Sequence, residues 1–163
     1  MLERLEERFG KTGELLPPVV RFEDFDRSPL EPSRRGEMMR NLNLEESSLV
    51  YFINGTIYKY SDEAKIFVAA LNALQRVSDR KIVLLALDDV VESDEISFEF
   101  RSLGRLDPAP YFQYVKLADV ICAPGIPDSF NRYRLASRLV KGMMVGKPIF
   151  TFKTGFAESL EDG

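Results

Sequence analysis

The residues best suited to chemistry in this chain gather between Ala118 and Gly163. An apolar stretch ending in Ala123-Pro-Gly is followed by Pro127-Asp-Ser-Phe-Asn-Arg-Tyr-Arg-Leu-Ala-Ser-Arg, which puts Asn131, Arg132 and Arg134 where a helix should begin and Arg138 one turn later. A helix start exposes unpaired backbone N–H groups and the positive end of the helix dipole. Guanidinium groups added there make a seat for a phosphate or diphosphate. On residue types alone, the same arginines read equally well as solvated charges balancing nearby acids. Elsewhere, Asp88-Asp89 closes an apolar run and fits a turn or helix cap more readily than a magnesium site. Cys122 lies inside an apolar run with no basic neighbour and reads as an inert buried thiol. Tyr51, Phe52, Tyr58 and Tyr60 read as core and rim packing, a loop tyrosine being able to stack on a nucleobase.

Composition narrows the chemistry. The 163 residues include no His and one Cys, so neither a Ser-His-Asp triad, a His base, the usual zinc ligand sets nor an internal disulfide can be built. Lys and Arg total 22 against 26 Asp and Glu, a formal charge of -4, without the basic excess of a nucleic-acid binder. With 45% hydrophobic residues the chain is long and apolar enough for one core. Its apolar runs fall far short of the ~20 residues a membrane span requires, and Met1 to Glu7 is no signal peptide. A cytoplasmic location is the expectation, with peripheral attachment to a membrane left open for a longer protein.

The elements that must hold these residues are legible from periodicity. Leu49 to Ile53, Lys81 to Leu87, Phe98 to Leu103, Ala118 to Ala123 and Pro148 to Phe152 read as strands, several of them continuously apolar and so buried on both faces. Asp62 opens a helix with Ile66, Phe67, Ala70, Leu71, Leu74 and Val77 at helical spacing; Tyr111 to Leu117 and Arg132 to Val145 supply two more. Strands alternating with helices predict an α/β fold of the Rossmann-like three-layer α/β/α kind, with a parallel sheet of five or six strands and its ligands beyond the carboxyl ends of the strands. Residues 1–48 read as a lead-in helix, a linker through Arg35 and a short helix from Gly36 to Leu44. Residues 49–163 read as the domain proper, truncated at both ends.

The order of Ala118-Asp-Val, Gly146-Lys-Pro, Gly155-Phe-Ala-Glu and Asp162-Gly resembles the carboxyl-terminal, donor-binding half of retaining glycosyltransferases of the GT-B architecture, group 1 (family 4) type. The resemblance spans residues 49–163. It implies a site for a nucleotide-diphosphate sugar, which is a substrate rather than a cofactor, facing an acceptor-binding amino-terminal half that is missing here, in polysaccharide or glycan synthesis. It implies Asn54, Gly55, Thr56 and Lys59 near the diphosphate; Asp128, Phe130, Asn131, Arg134, Ser137 and Arg138 at the donor sugar and phosphates; and Glu158 on a sugar hydroxyl. No metal site and no nucleic-acid partner are expected. Many members carry two glutamates with seven residues between them, where this chain has Tyr133 and Lys141, and a lysine cannot accept hydrogen bonds from a ribose diol. The chain is similar instead to a subgroup with an Asp-x-Phe-Asn-x-x-Arg-x-x-Ser-Lys/Arg pattern. That departure keeps open a second reading, a non-catalytic transferase-like module used in protein assembly. A receiver-domain reading, suggested by Asp88-Asp89 and Lys153, fits less well because Asp119 begins its strand instead of ending it.

Overall fold

The computed structural model describes residues 7–8, 10, 28–91, 96–128, 131 and 137–160, with the backbone alone at 137, 138, 156 and 159. Five strands, β1 (Leu49–Ile53), β2 (Ile82–Ala86), β3 (Glu99–Ser102), β4 (Val120–Ala123) and β5 (Ile149–Thr151), form one sheet in the order β3-β2-β1-β4-β5. Every pairing is parallel, with Val50 opposite Val83, Phe52 opposite Ile121 and Cys122 opposite Phe150. Consecutive side chains of β1 and β2 point to opposite faces. Tyr51, Ile53, Ile82, Leu84 and Ala86 enter one apolar core and Val50, Phe52, Val83 and Leu85 the other, which is why these strands lack polar alternation. This strand order differs from the 2-1-3-4-5 arrangement of flavodoxin-like sheets, and Asp119 stands before β4, so the receiver-domain reading fails.

The helix α2 (Asp62–Val77) covers the first face. Ser61 caps it, its Oγ accepting the Ala64 N–H at 3.2 Å, with Asp62 and Glu63 in the first turn and Arg76 in the last, all matched to the helix dipole. Its inward stripe is Ala64, Phe67 and Leu71, with Leu74 packed against the same core. Ile66 and Val77, expected in that stripe, are 48% and 80% exposed. Ile66 sits about 100° around the helix from Phe67 and so leaves the buried face.

The second face is covered by α1 (Pro32–Asn41) and α3 (Pro108–Leu117), through Met38, Met39, Val115 and Leu117. Both start earlier than the expected Gly36 and Tyr111. In each a proline occupies the first turn, where its missing N–H costs nothing. The end of α1 is a Schellman motif. Asn43 adopts φ 54°, its N–H donates to Arg40 O, and the Leu44 N–H reaches Met39 O at 2.9 Å.

The helix α4 (Ser137–Met144) also packs on this face, with Leu139 and Met144 buried, and ends at Gly146 with φ 66°. Gly142 brings it close to the sheet: a Cβ there would lie 2.9 Å from Ile121 Cγ2. On the outer edge of β3, Glu99 pairs with Arg101 and, at 2.5 Å, with Lys81, so the open edge carries charge instead of apolar surface. Among the described residues no helix is long and apolar enough to cross a membrane.

Candidate functional site

Strand order decides where a parallel sheet opens. From β1 the chain crosses through α2 to β2 on one side, and from β4 it crosses through α4 to β5 on the other. The carboxyl ends of these neighbouring central strands are the topological switch point, the place at which open α/β sheets bind ligands. Residues 54–60 follow one of these strands, the first wall of the candidate site, and residues 124–128 with Asn131 follow the other, the second wall. These are the loops that the sequence marks for chemistry.

The first wall is rigid at its base. Asn54, buried at 2% exposure, donates its N–H to Cys122 O at 3.2 Å and so ties the end of β1 to β4. Its Oδ1 accepts the Tyr111 hydroxyl of α3. Gly55 adopts φ 132° and donates its N–H back to Ile53 O at 3.0 Å, a tight turn that suits glycine. Ile57 is buried and pins the loop, while Thr56, Tyr58 and Tyr60 face outward, the tyrosines 81% and 72% exposed. The Lys59 ammonium lies 3.7 Å from Asp89 Oδ2 and 5.8 Å from the Tyr60 ring centre. Asp89, three residues beyond β2, is thus an ion-pair partner, and an anion at Lys59 must compete with it.

In the second wall, the exposed Asp128 accepts the Asn131 N–H on Oδ1 at 2.6 Å and closes a local turn. Asn131 packs its side chain over Gly125, where a Cβ would lie 3.4 Å from Asn131 Oδ1. Phe130, Arg132, Tyr133 and Arg134 lie outside the described residues, as do the side chains of Ser137 and Arg138, the first two residues of α4. Glu158 is exposed in the 3-10 helix Gly155–Ser159 that follows β5. Asn54, Gly55, Asp128 and Asn131 therefore lie in the segments that follow β1 and β4.

Tyr111 and Lys141 join the site in ways that spacing does not reveal. Burial pushes the Tyr111 phenol up to about 12, so it stays a hydrogen-bond donor to Asn54 at any working pH. Lys141, on α4, holds its ammonium 5.8 Å from the Tyr111 ring centre, a cation–π contact. Both link α3 and α4 to the base of the first wall, 57 residues from Asn54 in the case of Tyr111, beyond the reach of any local motif. Cys122 is fully buried, and burial pushes its thiol up, which makes it unreactive. Among the described residues no three His, Cys, Asp or Glu side chains converge as metal ligands.

The same fold is found in a glycosyltransferase. A crystal structure of a glycosyltransferase from Rickettsia africae ESF-5 is similar to this chain with a TM-score of 0.60 at 15% sequence identity, over 88% of this chain and 39% of that one. At that identity the likeness establishes the fold, a parallel α/β sheet flanked by helices. This chain matches less than half of the neighbour's length. No protein-family model and no curated protein matches the sequence.

Proposed function

We propose that the chain is the donor-binding domain of a retaining glycosyltransferase of the GT-B kind, holding a nucleotide-diphosphate sugar at the switch point between residues 54–60 and the segment that follows β4. The observation that carries this reading is the strand order, which sets the Gly55 turn and the Asp128–Asn131 turn on the two sides of the switch point. The fold neighbour is itself called a glycosyltransferase and adds support. In this reading the backbone at Gly55 approaches the diphosphate, the start of α4 with Arg134 and Arg138 offsets its charge, and Glu158 accepts a hydrogen bond from the donor sugar. Sugar transfer then needs orientation of the donor and stabilisation of the departing diphosphate, a task for N–H donors and cations that requires no His. The acceptor belongs to a second half outside this chain, in polysaccharide or glycan synthesis, so the chain alone transfers no sugar.

A thermal-shift titration with UDP, GDP and ADP tests the reading. One of the three, at about 100 times its dissociation constant, should stabilise the fold by about 2.7 kcal/mol, a rise in Tm on the order of 5–10 °C for a chain of this size. Arg138→Ala should abolish the rise. No shift with any of the three at millimolar concentration would overturn the assignment.

One observation favours a second reading, a non-catalytic module for protein assembly. Lys141, at a position where the resembled family has a ribose-binding carboxylate, is engaged with the Tyr111 ring. Mixing the domain with an acceptor-binding half separates the two: restored transfer supports the enzyme, and tight association without nucleotide binding supports the module.

A further inference from the structure

Asn54-Gly55 is the one Asn-Gly step in the sequence, and such a step is chemically labile. Glycine has no Cβ to shield its peptide nitrogen, which can attack the side-chain amide of the asparagine before it. The bond from Gly55 N to Asn54 Cγ forms, the Cγ–Nδ2 bond breaks, and ammonia leaves carrying the proton of the Gly55 N–H. Water then opens the resulting succinimide. Opening at Cγ gives aspartate, and opening at the main-chain carbonyl gives isoaspartate, which adds one carbon to the backbone. No oxidant, reductant or cofactor is needed. The other four asparagines, Asn41, Asn43, Asn72 and Asn131, precede Leu, Leu, Ala and Arg, whose side chains hinder the same attack.

The fold restrains each participant in this reaction. The Asn54 N–H donates to Cys122 O at 3.2 Å and the Gly55 N–H to Ile53 O at 3.0 Å, so the peptide planes on both sides of Asn54 are fixed. The second of these bonds also occupies the proton that must leave before the nitrogen attacks. On the side chain, Asn54 Oδ1 accepts the Tyr111 hydroxyl, and the amide cannot turn toward Gly55 N without giving up that bond. Asn54 is almost wholly buried, away from the water that carries protons and hydrolyses the imide. Tyr111 is itself anchored, its ring centre 5.9 Å from that of Phe52 and 5.1 Å from that of Phe112. Burial pushes its phenol up to about 12, so it still donates in the mildly alkaline solutions that favour loss of the peptide proton.

We propose that Asn54-Gly55 is a spontaneous deamidation site that the fold keeps closed, with the Tyr111 hydroxyl as its guard. Local opening of the Tyr111 contact releases the Asn54 side chain for attack. Conversion is one-way: isoaspartate sets an extra backbone carbon between β1 and the Gly55 turn, and either product sets a buried carboxyl where the phenol now meets an amide. The inference does not rest on the donor reading, because deamidation is read without any nucleotide.

The full chain is incubated in mildly alkaline buffer, and the peptide containing residue 54 is followed by mass spectrometry, with aspartate and isoaspartate separated by chromatography. Folded wild type should deamidate at Asn54 at least about tenfold more slowly than the urea-unfolded chain. Tyr111→Phe should speed the folded chain about fivefold, the worth of one hydrogen bond. Ile82→Val, a loss of packing at the far end of β2, controls for overall stability and should stay within about twofold of wild type. Equal rates in folded and unfolded wild type, or equal acceleration by Tyr111→Phe and Ile82→Val, would overturn the proposal. If Tyr111→Phe does not fold, wild type in urea below its transition decides: a local guard gives a rate indifferent to urea, and a rate that climbs with urea from the start contradicts it.

Discussion

At the scale of single residues, the hydrogen bond from Tyr111 to Asn54 ties α3 to the carboxyl end of β1. Asn54 is almost wholly buried, so its Oδ1 depends on a protein donor instead of water. Tyr111→Phe keeps the ring, and with it the edge contact to Phe52 at 5.9 Å, but removes the donor. The expected cost is about 1–3 kcal/mol, measurable as a lowered urea midpoint at neutral pH; an unchanged midpoint would show that the bond contributes nothing.

The same phenol gives a pH dependence of definite sign. Its pKa rises from 10.0 to about 12 on folding, so between these values the unfolded chain releases a proton that the folded chain keeps. Stability from this group is complete below pH 10 and declines as pH rises toward 12. Wild type should therefore lose more stability than Tyr111→Phe across that window, and parallel curves would contradict the assignment.

At the scale of elements, two helical glycines test how much the packing constrains the backbone. A Cβ at Gly36 in α1 and one at Gly142 in α4 would each meet an atom at 2.9 Å. The atoms differ. At Gly36 it is Glu46 Oε1, the far end of an exposed side chain that can swing away, so Gly36→Ala should be neutral or stabilising by up to about 1 kcal/mol through helix propensity. At Gly142 it is the methyl of the fully buried Ile121, and Gly142→Ala should cost about 1–3 kcal/mol by overpacking. Thermal melts of the two variants should shift in opposite senses or differ by several degrees; equal shifts would contradict the reading of α4 against the sheet.

Elements were also the most legible level of the sequence. The runs Leu49–Ile53 and Ile82–Ala86 are apolar at every position, which only a strand buried on both faces requires, and both form where expected. The boundaries of α1 and α3 were less legible, because Pro32 and Pro108 look like breaks until they are seen as first-turn residues. Contacts between distant segments left no local trace. Arg35 and Asp119 stand 84 positions apart, and neither residue alone predicts a neutral pair at the amino end of β4.

At the scale of the whole molecule, function depends on which strands are neighbours. Alternation of strands and helices implies a parallel sheet, but several strand orders satisfy it, and only the pairing of β1 with β4 puts the segments holding Gly55 and Asp128 after neighbouring strands at the switch point. The turns were visible in the sequence as Asn-Gly and as the polar stretch after Pro124-Gly. Their juxtaposition emerges from the fold. The sheet thus has the expected donor site at its carboxyl end and a cavity of about 610 Å³ at its amino end.

The central claim is most directly tested by a crystal structure of the chain soaked with a nucleotide-diphosphate sugar that stabilises it. The account predicts diphosphate density between the Gly55 backbone and the start of α4, with Arg134 or Arg138 within hydrogen-bonding distance. Density at the opposite end of the sheet alone, or none at the switch point under ligand conditions that raise the Tm, would contradict it.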